Sequence, residues 1–228
     1  MTQPEGNVTD ILLTELRPHG SASFAASQRR YALRGTGTFL GVPMKKVRAI
    51  GKTAFKDLDD HSIDAVHAQC EILLATTIYE LKTIAIQWSH LCKAQALPRH
   101  METYGSWLHT YIDEWMGCDD LCTHPIASLV LAYPETLHAT KSWACDGKWV
   151  VRRAAAVSLV PAARKGAYID HILDLAELLQ KEGDPMVQKG IGWLLRVARK
   201  ANKDAIESFL EDYKRTMSPA IAREALRR

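Results

Sequence analysis

The chain has 228 residues, 47% hydrophobic and 24% charged, the composition of a globular protein able to bury its core as one domain or one continuous solenoid. A formal charge of only +3 is compatible with nucleic acid without being diagnostic of it, and leaves the placement of charge as the informative quantity. No apolar run reaches the length of about 18 residues that a membrane span needs, and Met1–Asp10 is too polar for a secretory leader, so a cytoplasmic protein is expected.

Residues 1–28 read as a polar arm leading into a first helix around Thr9–Leu16, broken by Pro18 and Gly20. Residues 29–228 read as the main helical-repeat body. Tyr31 to Pro43 is a Gly/Thr-rich connector running into a helix at Met44–Phe55. Apolar spacing then predicts helices at His61–Cys70, Glu71–Ala94, Met101–Tyr111 and Cys118–Tyr133. Further helices are expected near Tyr133–Cys145, Lys148–Val160, Ala167–Leu179, Pro185–Ala201 and Ala205–Thr216. No alternating strand pattern is found, and short links such as Lys181–Asp184 suit helical hairpins. The expected fold class is all-α.

The C-terminal half repeats itself. Aligning Val151, Val187 and Ile221 brings Arg153, Lys189 and Arg223 into register, with Ala155, Ile191 and Ala225 behind them, at offsets of 36 and 34 residues. That period is one helical pair of an α-α superhelix of the HEAT/ARM kind, here expected as one continuous curved domain. Each unit opens on an expected N-cap (Asp146, Asp184, Ser218), and two place Pro at the following position. Stacked units would align the repeated cations along one surface.

Cys70, Cys92, Cys118, Cys122 and Cys145 contain no CxxC pair and read as reduced thiols. Cys118, Cys122 and His124 lie close enough to raise a metal site, but small buried hydrophobes explain the cysteines better.

Four segments in order carry a family resemblance: Leu40-Gly-Val-Pro-Met-Lys-Lys-Val-Arg48 through Lys52, Trp115-Met-Gly-Cys-Asp119, Trp143 through Val160 with its basic pair, and Lys189-Gly-Ile-Gly-Trp193-Leu-Leu-Arg196. Over roughly residues 30–210 the chain resembles the AlkD-like DNA-alkylation-repair glycosylases, built from HEAT-like repeats. The resemblance implies a monofunctional glycosylase hydrolysing the N-glycosidic bond of cationic N3- or N7-alkylated purines in duplex DNA. It implies Asp119 as the carboxylate that stabilises the sugar cation and positions water. It further implies Trp115, Trp193 and one of Arg152 and Arg153 around the lesion, and Tyr31 at the DNA backbone. Counting from Trp149 favours Arg152, whereas the internal repeat favours Arg153; Arg153 is taken as the lesion-site arginine, with Arg152 as a DNA-binding neighbour. Relatives often have Glu where this chain has Val197.

Physical chemistry is consistent with those roles. A cationic alkylpurine leaves readily because departure neutralises it, so the enzyme must chiefly stabilise an oxocarbenium-like sugar and hold a water. Trp115 and Asp119, spaced i, i+4, project on one helix face about 5–6 Å apart at Cβ, although Gly117 between them is expected to bend the helix. An indole face attracts cations. Against this, Asp119 could serve as a helix cap with Asp120 competing, and most tryptophans are core; Trp88, Trp107 and Trp143 are assigned there. Arg near a helix start opposes the dipole unless an anion is present.

Lys45, Lys46, Arg48, Lys52, Lys189, Arg196, Arg199 and Lys200, with Arg29, Arg30 and Arg34, would neutralise phosphates rather than read bases. No Lys motif suggests strand-nicking lyase chemistry, and Arg34-Gly-Thr-Gly-Thr lacks the context of a nucleotide loop. No metal or redox cofactor is implied. The expected partner is alkylated duplex DNA, with no membrane and a monomer as the default. Two rivals stand: a non-catalytic repeat protein that binds branched or distorted DNA, and a helical scaffold for a protein partner.

Overall fold

A computed structural model describes residues 7–227; the beginning of the expected arm, residues 1–6, and residue 228 lie outside the described residues. Fifteen α-helices are described, joined by short 3-10 turns, and the fold is all-α. Among the described residues, extended backbone pairs at a single isolated bridge between Thr38 and Ile78. The chain divides into two compact units, residues 1–96 and 97–228. Among the described residues no helix is long and apolar enough to cross a membrane.

The first unit contains α1 (Val8–Leu16), α2 (Ala22–Ala32), α3 (Met44–Lys56), α4 (Ile63–Leu74) and α5 (Tyr79–Leu91). The expected first helix is present, and its Leu12 and Leu16 are fully buried where α1 packs on α3 and α4. The second helix, α2, was not expected. Ser21 starts it by accepting from Phe24 N, and its one buried side chain is Ala32, so it has no apolar periodicity to read. The expected long helix Glu71–Ala94 is two helices. Thr76 Oγ1 donates to Leu73 O and Ile78 turns extended, letting Thr38 exchange backbone hydrogen bonds with Thr77 and Tyr79.

Glu80 explains much of this unit. It is fully buried, and its carboxylate accepts from the amides of Leu40, Gly41 and Val42. The Leu40–Pro43 motif is therefore a backbone nest closed around one carboxylate at the entrance to α3. Gly41 sits at φ +76°, where a Cβ would lie 2.1 Å from Ser21 O, so only glycine fits.

The second unit contains α6 (His100–Thr110), α7 (Trp115–Leu121), α8 (Ala127–Ala132), α9 (Leu137–Ala144), α10 (Trp149–Val157), α11 (Val160–Arg164), α12 (Ile169–Leu179), α13 (Pro185–Ala201), α14 (Lys203–Asp212) and α15 (Pro219–Leu226). Helices α7, α10, α13 and α15 pack in sequence as one row, while α9 and α12 pack on each other and on that row from behind. This is the layered stacking of an α-α solenoid. Val151, Val187, Ile221, Ala155, Ile191 and Ala225 are all fully buried, so the internal repeat is a true structural register.

Three boundaries differ from expectation. The helix expected over Cys118–Tyr133 is α7, a π-helical turn at Cys122–Ile126, and α8. Pro125 supplies no N–H and crowds the preceding turn, so the helix widens there; Thr123 Oγ1 and His124 Nδ1 meet the carbonyls of Asp119 and Asp120. The helix expected over Lys148–Val160 divides at Ser158 into α10 and α11. Asp184 caps α13 through Met186 N and Val187 N, but Asp146 is not the cap of its unit: Lys148 holds that position and Asp146 Oδ1 accepts from its amide.

Candidate functional site

Helix α7 carries the Trp115–Asp119 pair, and its first turn is set by an unusual cap. Glu114, almost fully buried, accepts from Met116 N and Gly117 N, each at 2.6 Å. A Cβ on residue 117 would stand 2.5 Å from Glu114 Oε1. Gly117 therefore lies within an uninterrupted α7, where it admits the cap. With Glu114 at the N-cap, Asp119 lies inside the helix and the capping role considered for it is ruled out.

Asp119 meets Arg153 from α10 in a two-pronged ion pair. Nε donates to Oδ1 and Nη2 to Oδ2, both at 2.8 Å. The Arg153 side chain is 6% exposed and that of Asp119 16%. Arg153 Nη1 also donates to Met186 O at the start of α13, and its guanidinium carbon lies 6.0 Å from the Trp115 ring centroid. The anion that an Arg near a helix start requires is thus the Asp119 carboxylate.

Burial pushes the Asp119 carboxyl above its ordinary value, and the hydrogen bond and charge of Arg153 pull it back only in part. Burial also disfavours the charged form of Arg153, but the bond and charge of Asp119 more than offset this and hold the guanidinium protonated. Each carboxylate oxygen accepts one bond from Arg153 and retains a second lone pair, so the pair can still receive a donor or face a cation.

The neighbouring Arg152 turns elsewhere. Its Nε and Nη2 contact Glu182, and its Nη1 donates to the carbonyls of Asp146 and Gly147. Adjacent helical residues diverge by about 100°, and here one arginine goes to the buried carboxylate and the other closes a loop. Lys148 is likewise structural: its Nζ donates to the carbonyls of Leu108, His109 and Ile112 at the end of α6.

Along α13, Lys189 is exposed and Trp193 half-buried, three residues beyond Gly190. A Cβ at Gly190 would meet Arg153 Cγ at 3.3 Å, and one at Gly192 would meet Glu224 Cβ at 2.4 Å. The two glycines of Lys189-Gly-Ile-Gly-Trp193 therefore admit close approach of α10 on one side and α15 on the other. Arg196 pairs with Glu224. Of the three repeated cations, Lys189 and Arg223 are exposed but Arg153 is buried, so they do not form one uniform cationic surface.

In the first unit, Tyr31 is 64% exposed at the end of α2. Lys45 and Lys52 are exposed on α3, and Arg48 is half-buried there. Trp88, Trp107 and Trp143 are core, as assigned, while Trp115 and Trp193 are half-buried. Cys70, Cys92, Cys118 and Cys122 are buried, Cys145 is exposed, and burial holds the Cys118 thiol well above its ordinary range. Among the described residues no three His, Cys, Asp or Glu side chains converge to hold a metal. Glu114 and Glu80 escaped the sequence reading; the available signal was a carboxylate set among apolar neighbours, as in Ile112-Asp-Glu-Trp115 and Ile78-Tyr-Glu-Leu81.

Comparison with known proteins gives this geometry a context. The chain matches the family described as DNA alkylation repair enzyme over residues 12–228. A solved structure described as a predicted DNA alkylation repair enzyme from Enterococcus faecalis is similar at 18% identity with TM-score 0.79, covering 92% of this chain and 96% of that one. The crystal structure of smu.31 from Streptococcus mutans UA159 is similar at 14% identity with TM-score 0.61, covering 90% and 96%. No curated sequence matches the chain. At such identities the two structures speak for a shared fold, and it is the match running across nearly every residue that places this chain as a member of the DNA alkylation repair enzyme family.

Proposed function

We propose that the protein is a monofunctional DNA glycosylase that hydrolyses the N-glycosidic bond of cationic N3- or N7-alkylated purines in duplex DNA, acting as a monomer through the body formed by residues 29–228. The reading rests on family membership and, above all, on the buried Asp119–Arg153 pair beside the Trp115 ring. As the C1′–N bond breaks, its electron pair passes to the purine and neutralises it. The sugar left behind is oxocarbenium-like. Asp119, held in place by Arg153, faces that charge with its remaining lone pairs, and its partly desolvated field is stronger than it would be in water. The attacking water donates a hydrogen bond to the same carboxylate, which takes its proton as the new C–O bond forms and then yields it to solvent. Trp115 and Trp193 supply π faces for the cationic sugar and base. Lys45, Arg48, Lys52 and Lys189, with Tyr31, contact the phosphate backbone. Arg152 and Arg196, each paired with a glutamate, are the weakest members of the proposed DNA-contacting set.

One observation favours a second reading. Both Asp119 oxygens are already engaged, as in a purely structural ion pair, which suits a protein that binds distorted DNA without cutting it. Release of free 7-methylguanine or 3-methyladenine from methylated duplex DNA separates the two. Wild type should release base and Asp119→Asn should not, with the variant still binding DNA. Absence of release by wild type, or full-rate release by a folded Asp119→Asn, sinks the glycosylase reading.

A further inference from the structure

We infer that the corner at the end of α2 is an apolar wedge inserted into duplex DNA, with Leu33 as its tip and arginines on the phosphates at either side. Three independent observations meet there. The first is charge: from Arg17 to Lys56 the chain carries nine Lys or Arg and no Asp or Glu. Against a whole-chain formal charge of +3, this is a local excess that fits a polyanion.

The second is exposure of apolar surface inside that cationic stretch. Leu33 is 65% and Tyr31 64% exposed, and Phe24 lies on the same helix at 41%. Arg30 and Arg34 are exposed beside them. Arg29 is differently used: its guanidinium stacks over Phe39 and donates to Gly35 O, which stiffens the turn that follows.

The third is strain. Leu33 lies at φ 64°, ψ −41°, and Arg34 N donates to Ala32 O at 2.7 Å, a γ-turn centred on a bulky side chain at positive φ. That conformation is rare and unfavourable for leucine. Gly35 is the next residue and would have served such a turn without strain. A strained backbone presenting an aliphatic side chain to solvent, between cations, is what a wedge between base steps requires. Proteins that kink a duplex use Leu, Phe, Ile or Met in this way, with cations anchoring the flanking backbone.

The inference rests on the reading that the protein acts on duplex DNA, and the test separates the two. End-labelled short duplexes are titrated with the full chain, following anisotropy for affinity and energy transfer between the ends for bending, across a salt series. Wild type should bind with steep salt dependence and bend the duplex. Leu33→Gly, which relieves the backbone strain while removing the tip, should bind about tenfold weaker. At saturation it should leave the duplex unbent, with its salt slope unchanged. Leu33→Met should behave as wild type. Arg30→Ala and Arg34→Ala should each lower the salt slope by about one phosphate's worth. A folded Leu33→Gly that binds and bends as wild type does, or a wild type that binds without bending, overturns the wedge and leaves DNA binding intact. Absence of salt-sensitive binding by wild type overturns both.

Discussion

Replacing Gly117 by Ala should destabilise the protein although it lies within a helix, and the sign should reverse when Glu114 is removed. In a helix of ordinary surroundings, Gly→Ala stabilises by about 0.5–1 kcal/mol. Here the new Cβ would stand 2.5 Å from Glu114 Oε1, so the carboxylate must withdraw from the Met116 and Gly117 amides. Loss of an N-cap costs about 0.5–2 kcal/mol, and leaving the buried Gly117 N–H unsatisfied costs about 1–3 kcal/mol. Set against the helix gain, Gly117→Ala should lower stability by roughly 1–3 kcal/mol. In a Glu114→Ala background the obstruction is gone, and the nearest remaining atom is Ile112 Cδ1 at an ordinary 3.6 Å. Alanine should then stabilise by about 0.5–1 kcal/mol. The coupling, roughly 2–4 kcal/mol, is read from a double-mutant cycle of urea unfolding midpoints and slopes. Stabilisation of equal size in both backgrounds would refute the cap, and with it the account of how Trp115 and Asp119 are held.

Three further outcomes follow from the same geometry. Gly192→Ala should lower stability by about 1–3 kcal/mol through overpacking, since its Cβ would lie 2.4 Å from Glu224 Cβ and 3.1 Å from Ile221 O; an unchanged thermal midpoint would contradict the close approach of α13 and α15. Glu182 is held below its ordinary 4.5 because the Arg152 bond and the Asp184 and Gly183 amides outweigh a burial effect that acts in the opposite direction. A lowered folded value gives stability that is present above 4.5 and lost as pH falls from there through the folded value. Arg152→Ala should therefore flatten the stability–pH curve below about pH 4.5, and an unchanged slope in urea melts would count against the pair. Because burial raises Asp119 and the ionised form is the working one, the acid limb of base release should have its midpoint above 3.8; a rate held constant down through that pH would dissociate Asp119 from the chemistry.

Much of the second unit was legible in the sequence because its signals are local. Pro185 after Asp184 marks a capped start, the apolar positions recur at helical spacing, and the repeat register of Val151, Val187 and Ile221 is preserved as buried contacts. What escaped was contact between residues distant in the chain. Glu80 reads as one more helical glutamate until the amides of Leu40, Gly41 and Val42 close on it. The break at Thr76–Ile78 exists because residue 38 supplies the backbone partners, which no window around residue 76 contains. The choice between Arg152 and Arg153 stayed open for the same reason: both are cations near one helix start, and only Asp119 and Glu182, each about thirty residues away, distinguish them.

That distinction bears on how the candidate site is built. The repeat places a cation at the same register of α10, α13 and α15, and among the described residues Arg153 is the one of the three that meets a carboxylate, because α7 immediately precedes α10 in the row and carries Asp119 on the facing side. Gly190 then leaves the space into which the Arg153 stem packs, while Met186 O accepts from Nη1. One side chain thus joins three successive helices, and a buried charge left without its partner is strongly destabilising. Asp119 is consequently both the candidate reactive group and the counterion that lets α10 pack on α13. A rate loss in an Asp119 variant carries mechanistic meaning only beside its unfolding curve, and Asp119→Asn, which keeps one acceptor for the guanidinium, is better suited to that comparison than Asp119→Ala.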